Sequence, residues 1–142
     1  MTDDILLSEQ ELILQRTVHD FAQRELAPRA RQIDETEEFP WDNINGIVEL
    51  GLFGLGIDPA YGGAGGGYKD ISIVLVELAR ACAATSLIYG AHLSLGTLTI
   101  ARFGTEEQKQ RFLPTLARGE RIVAFALSEP GAGCDAAALV TT

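Results

Sequence analysis

Apolar residues recur at helical spacing near the start of the chain, where Leu14, Val18, Phe21 and Ala22 fall on one face. Just ahead stand Ser8 and Glu11, an S-x-x-E pair in which hydroxyl and carboxylate each accept a backbone N–H at a helix start. A first helix is predicted from there. Pro28, within "RELAPRARQ", has no N–H to donate and crowds the preceding turn, so a kink or a break with restart is expected. "EEFPWDNINGIVELGLFG" predicts a second helix, with Pro40 in its first turn, Ile44, Ile47, Val48 and Leu50 on its apolar face, and Gly51 as its C-cap. "GIDPAYGGAGGGYKD" is a loop by composition, and Asp70 is expected to cap a short buried helix over "ISIVLVELARACAA". Thr85 or Ser86 would cap a fourth helix that ends at Gly104. Thr105 and Gln108 form another box, and Pro114 is expected to finish the helix that follows.

Past residue 120 the period changes. In "RIVAFALS", Ile122, Ala124, Ala126 and Ser128 share one face, while Val123, Phe125 and Leu127 share the other. That is strand alternation. A single strand cannot satisfy its own backbone groups, and nothing else in the chain reads as its partner. The fold class predicted is therefore mainly α, a helical bundle followed by one strand.

Composition narrows the function. The chain has 142 residues, 46% hydrophobic and 22% charged, the balance of one globular domain. A formal net charge of −9 argues against nucleic acid or an anionic membrane surface as partner. Cys82 and Cys134 show no CxxC or metal-ligand spacing and read as free thiols in a reducing compartment. The acidic start "MTDDILLSEQ" has neither a secretory nor a transit pattern, so a cytoplasmic location is expected. Residues 81–101 carry no charge, but Thr85, Ser86, His92, Ser94, Thr97 and Thr99 interrupt them. A helix buried in the bundle is predicted rather than a membrane span.

Two glycine-rich stretches are candidates for ligand chemistry. "YGGAGGGY" has amides able to cradle a phosphate but no P-loop lysine, and reads as a flexible connector. "GAGCDA" formally matches a nicotinamide-dinucleotide fingerprint, yet it follows a run of helices rather than the first strand of a βαβ unit. The strand-end corner "FALSEPGAGCD" has physical content of its own. It combines a row of backbone N–H groups, the Ser128 hydroxyl, a stiff Pro130, and Gly131 and Gly133, which permit unusual backbone angles and close approach. Glu129 and Asp135 oppose a phosphate there unless they point away or bond locally. His92 reads as a hydrogen-bonded core residue, and Leu87, Ala91 and Leu95 as a packing row on the same helix.

The order of "DPAYGGAG", "ELARACAATS", "FGTEEQKQRFLPTLARGE" and "FALSEPGAGCD" resembles the acyl-CoA dehydrogenase family. The resemblance implies an all-helical domain over residues 1–119 and, over residues 120–142, the start of a β-domain. It implies α,β-dehydrogenation of an acyl-CoA thioester with hydride passing to FAD. Phe125, Ala126, Leu127 and Ser128 would border the flavin, Ser128 bonding its pyrimidine edge. Gly133 and Cys134 would face the diphosphate, with Cys134 also meeting substrate. Leu87, Ala91 and Leu95 would line the acyl chain. The family usually has Ser where this chain has Cys134, and a thiol is the weaker donor. Its catalytic glutamate would lie beyond Thr142, so the chain is expected to be a truncated N-terminal part without turnover of its own. An electron-transfer acceptor and a homo-oligomer of the full-length enzyme are also implied. A nicotinamide-dinucleotide domain and a non-enzymatic helical interaction module are the alternatives.

Overall fold

The computed structural model describes residues 7–141. Helix α1, Glu9–Phe21, starts on the expected box: Ser8 Oγ accepts the Glu11 N–H, and the Glu11 carboxylate accepts the Ser8 N–H. Pro28 acts as predicted. The helix widens into a π-turn over Ala22–Leu26, tightens into a 3₁₀ turn over Ala27–Arg29, and restarts as α2, Ala30–Thr36. Helix α3 spans Trp41–Glu49. Pro40 stands before this helix rather than in its first turn, and Leu50, assigned to the apolar face, is 40% exposed. Leu50 holds the C-cap position and Gly51 follows it in the left-handed region at φ 69°.

Asp70 does not cap α4 from outside. The helix runs over Tyr68–Ala81, Gly67 is its N-cap, and Asp70 in the first turn accepts the Gly67 N–H at 2.8 Å. Thr85 and Ser86 likewise lie inside the next helix, α5, Ala83–Gly90, which starts after Cys82. Burial explains the difference, because both hydroxyls have tertiary partners. Thr85 Oγ1 accepts from Asn43 Nδ2 at 2.9 Å, and Ser86 Oγ donates to the Leu75 carbonyl at 2.9 Å. The chain continues through a π-helical stretch, Ala91–Thr97, into α6, Leu98–Phe103, and stops at Gly104 as predicted. Helix α7, Glu106–Ala117, begins on the Thr105–Gln108 box but runs through Pro114 instead of ending there. Leu113, Leu116 and Ala117 bury its last turn, which offsets the missing N–H bond.

The core joins α1, α3, α4 and α5. Val18, Leu26, Ile47, Phe53, Val74, Leu78, Tyr89 and Leu93 have no exposed surface. A smaller cluster of Ile57, Leu113 and Ala117 seats α7. The "YGGAGGGY" loop is not a loose connector. The Gly56, Ala64 and Gly65 amides bond back within the loop at 2.7, 2.8 and 2.9 Å, and a Cβ on Gly63 would lie 2.1 Å from the Ile57 carbonyl oxygen. Those amides are not available to a phosphate. Among the described residues no helix is long and apolar enough to cross a membrane.

Candidate cofactor corner

After α7 the chain turns at Gly119 and enters the segment predicted as a strand. Residues 122–128 form no ladder among the described residues. A strand needs a partner to close its hydrogen bonds, and none is present. The N–H groups from Ala124 to Ser128 donate to no described group. Phe125 and Leu127 are 48% and 46% exposed.

The start of this segment is nonetheless held firmly. His92, on the π-helical stretch, is fully buried and stacks on Phe53 with ring centroids 4.1 Å apart. Its Nδ1 accepts the Val123 N–H at 3.3 Å. The proton of the neutral ring therefore sits on Nε2, toward Thr97 Oγ1 at 3.4 Å. Burial pushes the His92 pKa down to about 4, against a smaller opposing effect of the Leu116 carbonyl. The core-residue reading of His92 accords with this geometry. One turn on, a Cβ on Gly96 would lie 2.1 Å from Val123 Cγ1, so the Val123 side chain rests where Gly96 has none.

The corner itself is a tight turn: Glu129 and Ala132 exchange N–H···O bonds of 3.0 and 3.1 Å, and Ala132 is buried. Both acids bond locally. The Glu129 carboxylate accepts the Val140 and Thr141 N–H groups at 3.0 and 2.9 Å, and Asp135 accepts that of Ala137 at 3.2 Å. Hydrogen bonds from the Thr141 side chain, and then from the Val140 and Thr141 amides, hold the Glu129 carboxyl below the usual carboxylate range. Gly131 and Gly133 do not use the positive φ that glycine permits. What they leave is space, since a Cβ on either would meet nothing within 4 Å. Cys134 is exposed and free, and Cys82 is buried and free.

This surface has groups that could hold a flat cofactor such as a flavin. It offers two apolar side chains for a ring face, unengaged amides and the exposed Ser128 hydroxyl for a polar edge, and an open glycine backbone for a diphosphate. The Leu87–Ala91–Leu95 row is not core packing. Leu87 is 73% exposed, Leu95 is 48% exposed and Ala91 is half-buried. "GAGCDA" leads only into the short turn Ala136–Ala138, so the dinucleotide fingerprint lacks its following helix among the described residues. The same residues contain no group of three His, Cys, Asp or Glu side chains placed to hold a metal.

Sequence reasoning missed the Gly96 seat and a buried carboxylate elsewhere. Glu77, 1% exposed, accepts from Gln15 Nε2 at 3.0 Å, His19 Nδ1 at 3.0 Å and Arg80 Nη1 at 3.1 Å, fastening α1 to α4. Only the uninterrupted apolar flanks of Glu77 hinted at its burial.

Residues 8–120 match the family model of the acyl-CoA dehydrogenase N-terminal domain, and the chain belongs to that family. It is 45% identical over 136 residues to the short-chain specific acyl-CoA dehydrogenase of Clostridium acetobutylicum, covering 96% of this chain and 36% of that relative. Among solved structures it is similar to butyryl-CoA dehydrogenase of Megasphaera elsdenii, with a TM-score of 0.85 at 33% identity over 92% of this chain and 35% of that one. It is also similar to an acyl-CoA dehydrogenase of Bacillus anthracis in complex with FAD, with a TM-score of 0.83 at 33% identity over 94% of this chain and 23% of that one. The chain thus spans about a third of the length of such relatives.

Proposed function

We propose that this chain is the N-terminal part of a flavin-dependent acyl-CoA dehydrogenase, which oxidises the α,β bond of an acyl-CoA thioester. Residues 1–119 are its helical domain, and residues 120–142 begin its β-domain. The observation that carries the reading is the exposed Phe125 and Leu127 pair on backbone without partners, beside a glycine corner whose acids are engaged elsewhere.

FAD, where bound, supplies the hydride acceptor. Phe125 and Leu127 would cover part of the ring with their side chains and keep water from it, and Ala126 between them would border it through its backbone. The Ser128 hydroxyl donates to the pyrimidine edge, which favours negative charge developing there. Gly133 and Cys134 give the diphosphate and the substrate room to approach. The thiol at Cys134 binds them less strongly than a hydroxyl would, because a hydrogen bond to a charged group contributes roughly 1.5–3 kcal/mol. Leu87, Ala91 and Leu95 line the acyl chain, with the small Ala91 leaving room. No residue from 1 to 142 is assigned as the base that takes the α-proton. The partners are an acyl-CoA, an electron-transfer acceptor and further copies of the whole enzyme. A cytoplasmic, reducing setting accords with two free cysteines.

The test is to express the complete reading frame that encodes these residues. A yellow protein that bleaches on addition of an acyl-CoA is expected. A folded product that stays colourless after incubation with FAD overturns the reading.

A further inference from the structure

We infer that His92 is a positioning residue for the cofactor segment: with Gly96 it seats Val123, and so fixes which face of residues 124–128 is offered to the flavin. The inference rests on the functional reading above for the identity of the ligand, but not for the seat itself.

Two contacts, four residues apart on one helical stretch, grip the same residue. His92 Nδ1 takes the Val123 N–H at 3.3 Å, and Gly96 makes room for the Val123 side chain. Ile122, one residue earlier, packs against the core cluster. From Ala124 to Ser128 the amides bond nothing described, so the seat is the last fixed point before the corner. In an extended chain the side chains alternate, and a slip of one residue exchanges the two faces. Holding Val123 therefore commits Phe125 and Leu127 to the Val123 face and Ala124, Ala126 and Ser128 to the other. His92 is itself over-determined by Phe53 at 4.1 Å and by Thr97 at its Nε2, so the acceptor cannot rotate away. It touches no atom that reacts and acts only through Val123.

Amide hydrogen exchange by NMR on the 142-residue chain tests this without any flavin. In the wild type, the Val123 amide is expected to exchange about tenfold more slowly than those of Ala124 to Ala126, as one hydrogen bond implies. His92→Leu removes the acceptor and should erase that difference while core amides such as Leu78 keep theirs. His92→Asn, which carries an oxygen near the Nδ1 position, should restore most of it. Gly96→Ala is the second arm. Alanine favours the helix over glycine, yet its Cβ displaces Val123. It should speed exchange at Val123 and remove the nuclear Overhauser contacts between the Val123 methyl groups and residue 96, with the bundle no less stable.

The seat is overturned if Val123 exchanges as fast as its neighbours in the wild type. It is equally overturned if Gly96→Ala leaves Val123 unchanged, or if His92→Asn behaves like His92→Leu in a folded bundle. A seat that holds in a reading-frame product without flavin would leave this inference about the fold standing and remove the cofactor from it.

Discussion

A histidine with no exposed surface, hydrogen-bonded at both ring nitrogens, can gain a proton only by giving up the Val123 N–H and carrying charge into the core beside Phe53. Its folded pKa of about 4 lies below the ordinary 6.5. Between those values the unfolded chain binds more protons than the folded one, so stability is fully present above about pH 6.5 and is lost as pH falls toward 4. The loss is on the order of 3 kcal/mol. Other groups titrate in the same window, so the informative quantity is a difference. Urea unfolding of the wild type and of His92→Asn, followed from pH 7 to pH 4, should show the wild-type midpoint falling more steeply. Parallel curves would mean that His92 is not kept neutral by its burial. Glu77 is a different case, a buried carboxyl group held by three side-chain donors. Removing His19 and Arg80 together (His19→Ala with Arg80→Ala) leaves Gln15 as the one remaining donor to Glu77 among the described residues and should cost about 3 kcal/mol. Glu77→Gln keeps the shape without the charge and should cost about 1 kcal/mol. Denaturant titration ranks the two, and the reverse order would contradict the account of α1 and α4 being joined through the donors to Glu77.

Helix boundaries divide according to whether their cause is local. The Ser8–Glu11 and Thr105–Gln108 boxes were legible because both partners lie within three residues and need nothing else. The interruption at Pro28 was legible for the same reason. Thr85 and Ser86 were misplaced because each is a good cap in isolation, while the tertiary structure gives it another partner; Asp70 was placed three positions off, since the N-cap is Gly67 and Asp70 caps its N–H from within the first turn. Pro114 was misread because burial of the last turn of α7 outweighs one missing hydrogen bond. The same division separates two glycines. Gly62 and Gly119 both take positive φ, but a Cβ on Gly62 meets nothing, whereas one on Gly119 would lie 2.3 Å from Val48 Cγ2. Gly62→Ala should therefore cost only the backbone penalty of about 1–2 kcal/mol. Gly119→Ala should cost more, since its Cβ also pushes against the Val48 and Phe53 side chains. Thermal unfolding of the two variants should show the larger drop for Gly119→Ala.

At the scale of the whole molecule, the sequence carried the order of elements and the position of the corner, but not what lies beside it. A strand is legible by its alternation, and "RIVAFALS" alternates. A ladder requires a second segment, and alternation in one stretch does not reveal its partner. The candidate flavin residues were found by adjacency along the chain, whereas the Gly96 seat depends on a contact across 27 positions and left no local mark. The state that results is a helical bundle bearing an open edge of free N–H and C=O groups flanked by Phe125 and Leu127. Such an edge pairs with others of its kind. The net charge of −9 opposes association at long range, but salt screens it within about 8 Å at physiological ionic strength. The 142-residue chain should therefore self-associate more readily as salt rises, the reverse of an association driven by charge attraction. Ala126→Pro removes an N–H in the middle of the edge and is expected to suppress the association without shifting the unfolding of the bundle. Light scattering and analytical ultracentrifugation across a salt series would read it. If Ala126→Pro associates as strongly as the wild type, the contact lies elsewhere, with the exposed Leu87 or Phe103 as the next surface to alter.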